Sequence, residues 1–195
     1  MIELVMIRHG PTAWNAEGRM QGRSDQPLSE TGRLEVATWR VPEAFRGHHW
    51  VVSPLGRARE TAALLGHPEA EPESAVIETD WGDWEGCRLE DLRAQHGDRM
   101  AAMEALGLDF RPPGGERPRD VQDRLRPWLA RLAETGQPTV AVCHRGVIRA
   151  LYALATGWDF TGKPPVKLRH ATAHRFLVEA TGRPDVAQMN LPLAL

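Results

Sequence analysis

Cysteine is scarce in this chain, with two among 195 residues, Cys87 and Cys143. They show no metal-type spacing and no partner motif, so the default reading is reduced thiols in a cytoplasmic protein. Long apolar runs are missing as well. No stretch approaches the ~20 residues that span a bilayer. The first apolar segment is interrupted by Glu3 and stops at Arg8, unlike a secretory leader. An excess of one charge is also lacking, because 24 Lys and Arg stand against 26 Asp and Glu. That balance gives no global reason to expect nucleic acid or an anionic membrane as partner, and any anion site must come from a local cluster of arginines. There is no internal repeat, no low-complexity tract and no carboxylate-rich metal cluster. Neither Gly-x-Gly-x-x-Gly nor a P-loop follows the first strand, which counts against a nucleotide-binding protein.

What is present is ordinary globular composition, 42% hydrophobic and 26% charged, on a length that suits one sizeable core. Ile2 to Ile7 form a nearly continuous apolar run, as expected of a strand covered on both faces in a parallel sheet. Residues 10–28 read as a long functional loop. Ser29 is the expected cap of a helix with Leu34, Ala37 and Val41 as its apolar stripe, ending near Pro42. Trp50 to Ser53 reads as a second strand, Arg57 to Leu65 as a helix, and Ala75-Val76-Ile77 as a third strand. Leu89 to Leu106 is expected to be helical despite a less regular pattern. Val121, Leu125, Trp128, Leu129 and Leu132 recur at helical spacing, and Thr139 to Cys143 is a buried-strand candidate followed by a helix over 147–155. Ala173 to Val178 and Val186 to Met189 supply late strands. Alternating strands and helices predict a three-layer α/β/α sandwich with a mostly parallel sheet, one domain over 1–195, and a lid-like insertion over 79–115.

Two of these strands end in histidine, Ile7-Arg8-His9-Gly10 and Val142-Cys143-His144-Arg145-Gly146. If both are parallel, both imidazoles emerge at the carboxyl edge of the sheet, where ligands bind in open α/β folds. Glycine within two residues of each lets backbone approach a ligand closely.

With these residues in place, the sequence resembles the histidine phosphatase superfamily, the phosphoglycerate-mutase-like fold. Leu4 to Asn15 looks like the signature segment, and Gly18-Arg-Met-Gln-Gly22 with Asp25-Gln-Pro-Leu-Ser29 like the phosphate-pocket loop. Ser53-Pro-Leu-Gly-Arg-Ala-Arg-Glu-Thr61 is similar to the second signature, and Ile77 to Gly86 to the acid-bearing segment. Gly114-Gly-Glu116 and Val142 to Arg149 complete an ordered series that touches most of residues 4–150.

The resemblance implies that His9 attacks phosphorus to give a phosphohistidine, with Arg8, Arg57 and His144 around the phosphoryl group. Histidine serves as a nucleophile when its attacking nitrogen is unprotonated, and arginine grips two phosphate oxygens with its planar fork. Arg57 and Arg59 lie about 200° apart on a helix, so both cannot face one site, and the family pattern picks Arg57. Among Glu78, Asp80, Asp83 and Glu85 the motif position falls on Glu78, expected to protonate the leaving alkoxide. Thr12, Asn15, Gln21 and Gly22 match substrate contacts in the family. Arg145 stands where relatives carry a small residue and is a candidate substrate ligand. Trp81 and Trp84 are placed to border the pocket, whereas His48, His49, His67, His96, His170 and His174 read as surface or structural.

The resulting expectation is a phosphatase acting on a small phosphomonoester of sugar-phosphate or α-ribazole-phosphate type, with no metal and no cofactor. A phosphoglycerate mutase is the near alternative, typically longer and with insertions that shield the phosphoenzyme. A non-catalytic phospholigand-binding module on the same fold is the alternative of a different class. Specificity is expected in residues 79–115 and around Trp158 to Arg169. Oligomeric state and the packing of Asn190 to Leu195 are open at this point.

Overall fold

The computed structural model describes residues 1–193. The first apolar run forms β1 (Ile2–Arg8), and Leu4, Val5, Met6 and Ile7 are all fully buried. It lies inside a six-stranded sheet with β2 (His49–Val52), β3 (Glu71–Pro72), β4 (Thr139–Cys143), β5 (Thr172–Val178) and β6 (Pro184–Pro192), in the order β3-β2-β4-β1-β5-β6. The β1, β2, β3 and β4 pairings are parallel, while β5 and β6 add antiparallel partners at one edge.

Because successive side chains leave a strand on opposite faces, the central strands feed two separate cores. Leu4, Met6, Ala141 and Cys143 face α5 (Pro118–Thr135) and α6 (Arg145–Thr156), meeting Leu125, Leu129, Ile148 and Leu151. Val5, Ile7, Val140 and Val142 point the other way, against Val36 of α2 (Glu30–Thr38) and Ala58 and Ala62 of α3 (Gly56–Leu64). Helices therefore cover both faces of a mostly parallel sheet, as the alternating pattern predicts. The five apolar positions expected along α5 all sit in the first core.

Three local expectations need correction. On α2 the buried residues are Gly32 and Val36, and Leu34 is 67% exposed. Gly32 presses so tightly on the loop that a Cβ there would stand 2.2 Å from the Pro11 carbonyl oxygen, which turns Leu34 outward. The helix stops at Thr38, before Val41. Ala75-Val76-Ile77 is not a strand, since Ser74–Val76 is a single 3-10 turn with Ala75 and Val76 buried. A short apolar run cannot by itself distinguish a strand from a buried turn, and here the Glu73 carboxylate accepts the Ala75 N–H at 2.8 Å and starts the turn. The irregular segment becomes α4 (Leu89–Glu104), interrupted at Gly97, whose φ of 47° and ψ of −125° lie outside the helical region.

Residues 79–115 bring a small cluster of their own, with Trp84, Leu92 and Met100 buried and Met20 and Phe110 against them. Near the C-terminus Leu193 is buried in the second core and its N–H donates to Ala171. That places residues 190–193 on the domain, while Ala194 and Leu195 lie outside the described residues. No helix among the described residues is long and apolar enough to cross a membrane.

Candidate active site

The site grows from the register of two neighbouring strands. Arg8 pairs with Cys143, and the His9 N–H donates to the Cys143 carbonyl at 2.9 Å. His9 and His144, each the next residue past its strand, therefore emerge side by side, with ring centroids 5.1 Å apart.

His9 is 4% exposed. Its Nδ1 lies 2.7 Å from the Gly10 carbonyl oxygen, which can only accept, so Nδ1 carries the proton and Nε2 is left with a lone pair. Burial, followed by the Arg8 and Arg57 guanidinium groups, pushes the His9 imidazole well below its ordinary value and keeps it neutral. Gly10 is held in turn, because its N–H donates to Thr61 Oγ1 at 3.0 Å. A side chain at Gly10 would come within 2.3 Å of Val36, so glycine is sterically required there.

His144 is fully buried, and its Nε2 pairs with Ser53 Oγ at 2.6 Å. Its Nδ1 is sealed from water with no partner among the described residues. Burial, then the charges around it, also depress this imidazole well below the ordinary value.

Arg57, the second residue of α3, is completely buried while Arg59 is exposed, which separates the two candidates. The Arg57 fork donates to the carbonyls of Gly22 at 2.6 Å and Ser24 at 3.2 Å, and Asp25 lies at 3.5 Å. The Nε atoms of Arg8 and Arg57 are both buried without partners among the described residues. Such donors suit an anion that brings its own acceptors.

The four carboxylates are sorted by environment. Glu78 is 5% exposed, and its oxygens accept the N–H groups of Thr79 at 2.8 Å and Gly146 at 3.2 Å. Burial raises its pKa despite those bonds and the nearby Arg57 and Arg8. Glu85 moves the other way. Partial burial works to raise it, but hydrogen bonds from Ser24 and Arg23 outweigh that and hold it below the ordinary value. Asp80 accepts the Gly82 N–H at 2.8 Å, and Asp83 is exposed. Glu78 is thus the carboxyl suited to carry a proton into the site.

Thr12 caps a short helix, α1 (Ala13–Ala16), and Thr12 Oγ1 and Asn15 Nδ2 both donate to Gln21 Oε1, at 2.8 and 3.3 Å. Thr12 and Asn15 thereby hold Gln21, whose Nε2 remains a buried donor without a partner among the described residues. Gly22 is sterically demanded, since a Cβ would stand 2.2 Å from Glu85 Oε1. Arg145 is exposed at the start of α6.

Sequence reasoning passed over several supporting residues. Ser53 holds His144, Thr61 holds Gly10, and Asp25 accepts the Gly56 N–H at 2.6 Å. Arg124 donates to the Ala75 carbonyl and, at 2.6 Å, to Ile77 just ahead of Glu78. Ser53 had a readable signal, a hydroxyl one residue past a strand. Arg124 had none, because it lies on a distant helix.

Trp84 is buried in the cluster of residues 79–115 with His96 stacked on it, and Trp81 packs edge-on to Phe110. His48 pairs with Glu3, His67 stacks on Trp50, and His170 pairs with Glu35. His174 is buried, accepts the Asn190 N–H, and is pushed down to about 4 by burial. Both cysteines are free, and burial raises the Cys143 thiol. Among the described residues no group of three or more His, Cys, Asp or Glu is placed to hold a metal ion.

Comparison with known proteins bears on this arrangement directly. The model of the histidine phosphatase superfamily (branch 1) matches residues 4–192. A glucosyl-3-phosphoglycerate phosphatase of Mycolicibacterium vanbaalenii is 38% identical over 168 residues, 79% of this chain and 74% of that protein. A 2,3-bisphosphoglycerate-dependent phosphoglycerate mutase of Gloeobacter violaceus is 32% identical over 166 residues, 77% of this chain and 74% of its own. Among solved structures, a mycobacterial glucosyl-3-phosphoglycerate phosphatase in complex with VO3 superposes with a TM-score of 0.82 at 30% identity, covering 98% of this chain and all of that one. An α-ribazole phosphatase from Shigella flexneri, 23% identical over 97% of this chain and 96% of its own, shares the fold with a TM-score of 0.77. With the family model spanning nearly its whole length and two histidines delivered to one sheet edge, the chain belongs to the histidine phosphatase superfamily, branch 1.

Proposed function

We propose that the protein hydrolyses a small phosphomonoester without a metal, through a phosphohistidine formed on His9. The observation that carries this reading is the state of His9. Nδ1 is committed to the Gly10 carbonyl, the ring is held neutral, and Nε2 is left to attack. In the first step Nε2 bonds to phosphorus and the ester oxygen leaves, taking the proton of Glu78. Arg8, Arg57 and His144 Nδ1 donate to the phosphoryl oxygens, stabilising charge that is spread over them in a loose transition state. Gln21 Nε2 supplies a further donor. In the second step Glu78, now ionised, takes a proton from water as that water attacks phosphorus, which regenerates His9 and releases phosphate. The raised pKa of Glu78 suits a group that gives a proton and takes one back.

Residues 79–115, with their own small core, are proposed as the lid over this site. Two free thiols fit a cytoplasmic location, and the substrate class is a small-molecule ester rather than nucleic acid or membrane. Phosphoryl transfer between phosphoglycerates is the second reading, and the named mutase among the relatives favours it.

The test is phosphate release from a panel of phosphomonoesters in EDTA, by wild type and by His9→Ala. Turnover that survives the chelator and disappears in the variant supports the reading. Transfer between phosphoglycerates without release would replace it with the mutase, and a protein that binds esters without either reaction would be a phospholigand-binding module.

A further inference from the structure

Beyond the groups given a role above, α6 carries a second cationic feature. Arg149 lies one helical turn after Arg145, on the same face, and shares that side of the helix with Gly146, whose N–H meets Glu78. Its guanidinium lies over the rings of Trp158 and Phe160, 5.2 and 5.0 Å from their centroids. The two rings stack at 4.4 Å and 14°, forming a flat platform. Phe160 adopts a left-handed φ of 69°, a costly conformation for an aromatic residue, and its ring packs against the first core. Asp159, the carboxylate nearest in sequence, is committed to the N–H and hydroxyl of Thr161.

Arg149 Nε is sealed from water with no partner among the described residues, and neither Arg149 nor Arg145 has a carboxylate ion-pair partner there. Burial, and then the charge of Arg145, pull Arg149 down to about 10. Burial and Arg145 act in the same way on Arg8. The Glu78 carboxyl opposes this on both arginines, and the four-residue spacing of Arg145 and Arg149 sets the two cations on the side of α6 that meets Glu78. An exposed arginine alone is a solvated surface residue. An arginine pinned on an aromatic platform, with a buried Nε donor that no protein group among the described residues meets, has donor capacity suited to an anion.

We infer that Arg149, on its Trp158–Phe160 platform, forms with Arg145 a second anion subsite next to the phosphoryl pocket, so that the preferred substrate is a phosphomonoester bearing a second anionic group, a carboxylate or another phosphate. This rests on the phosphatase reading of the same site and narrows its substrate class. It gives Arg145 a partner and a purpose, and it gives the segment around residue 158 a physical role in selection. Residues 79–115 meet the backbone of this segment, because a Cβ on Gly107 would lie 2.2 Å from the Asp159 carbonyl oxygen.

The test compares ester pairs that differ only in the second charge. 3-Phosphoglycerate is set against glycerol 3-phosphate, 6-phosphogluconate against glucitol 6-phosphate, and propane-1,3-diol bisphosphate against its monophosphate. In wild type, kcat/KM for the better-fitting charged member exceeds that of its neutral counterpart by at least tenfold. Arg149→Met brings this ratio down to within about threefold of one, mainly through KM, and Arg145→Gln lowers it by a smaller factor. Arg59→Gln, on the exposed side of α3, leaves the ratio unchanged. Which pair shows the preference distinguishes a carboxylate from a second phosphate. A wild-type ratio near one in every pair, or a ratio that Arg149→Met does not move, overturns the subsite while leaving the phosphatase intact. The ratio is read on Arg149→Met protein that circular dichroism shows to be folded, with Arg149→Gln in its place otherwise, since misfolding would lower both members together. Should no ester be hydrolysed, the phosphatase reading fails on its own. Calorimetric binding of the same pairs to the unreactive His9→Ala protein then decides the subsite, with tenfold tighter binding of the charged member supporting it and equal binding refuting it.

Discussion

Replacing Gly146 with alanine tests the proposed role of Glu78 without touching Glu78 itself. A Cβ at this position would stand 2.4 Å from both Glu78 Oε1 and Thr79 Oγ1. That is about 1 Å inside an ordinary van der Waals contact, so the carboxyl must withdraw by a comparable distance. Withdrawal lengthens the Gly146 N–H bond, which is already 3.2 Å. Hydrogen bonds to charged groups contribute about 1.5–3 kcal/mol. Overpacking adds a cost of about 1–3 kcal/mol, and alanine returns about 1 kcal/mol over glycine within a helix. The net loss of stability is therefore about 1.5–5 kcal/mol, below the about 5–15 kcal/mol that holds a typical domain folded, so the variant is expected to fold.

Activity should suffer far more, and selectively. Displacing a reacting group by 1 Å costs on the order of 10²-fold in rate. An alkyl phosphate needs its leaving oxygen protonated, whereas p-nitrophenolate leaves without help. Gly146→Ala is thus expected to cut kcat on an alkyl phosphate about 100-fold and on p-nitrophenyl phosphate less than about tenfold. Steady-state kinetics on the two esters, with circular dichroism to confirm folding, provide the assay. An equal loss on both esters, or none on the alkyl ester, would refute the assignment of Glu78 as the acid.

Other expectations can be checked with the same preparations. Arg57→Lys keeps the charge but loses the fork that meets the Gly22 and Ser24 carbonyls, so kcat should fall about 10²–10³-fold, read as initial rates. The kcat profile on an alkyl ester should be displaced to acid pH. His9 stays unprotonated below its ordinary 6.5, and Glu78, raised above 4.5, stays protonated beyond the usual carboxylate range before losing activity as pH rises. Thermal unfolding should show the linkage of the two buried histidines. Their folded values are depressed, so the stability they contribute is present above about pH 6.5 and is lost as pH falls toward those values. A His9→Asn, His144→Asn protein should show a flatter acid slope, and an unchanged slope would remove these residues from the account. Inorganic phosphate at 100 times its Kd should stabilise wild type by about 2.7 kcal/mol, seen as a higher Tm, and should stabilise Arg57→Met far less.

The central strands and α5 were legible because their burial is written in apolar periodicity. The strand-ending pairs Arg8-His9 and Cys143-His144 were legible because a parallel sheet brings such ends together. Arg57 could be separated from Arg59 by helical geometry and the family pattern jointly, and full burial of Arg57 agrees with that choice. What stayed hidden depended on contacts between distant segments. Leu34 turns outward because Gly32 meets Pro11, and Ala75 to Ile77 become a turn because Glu73 and Arg124 claim their backbone groups. Thr12, Asn15 and Gln21 looked equivalent as loop polars. Only their mutual hydrogen bonds reveal that two of them hold the third.

The pairing of Arg8 with Cys143 also bears on how the protein matures. The two histidines are 135 residues apart in the chain and meet where β1 and β4 pair, the His9 N–H donating to the Cys143 carbonyl. A partially folded species that lacks the β1–β4 pairing cannot hold the two histidines together. Closing so long a loop is entropically slow, and such contacts set the pace of folding in parallel sheets. Recovery of activity during refolding is therefore a late event, a chemical clock for completion of the sheet centre rather than for the appearance of helices. On the proposed mechanism a ribosome-bound chain stays inert until β4 has emerged, so the imidazole proposed as nucleophile is armed only once the groups proposed to hold phosphate surround it.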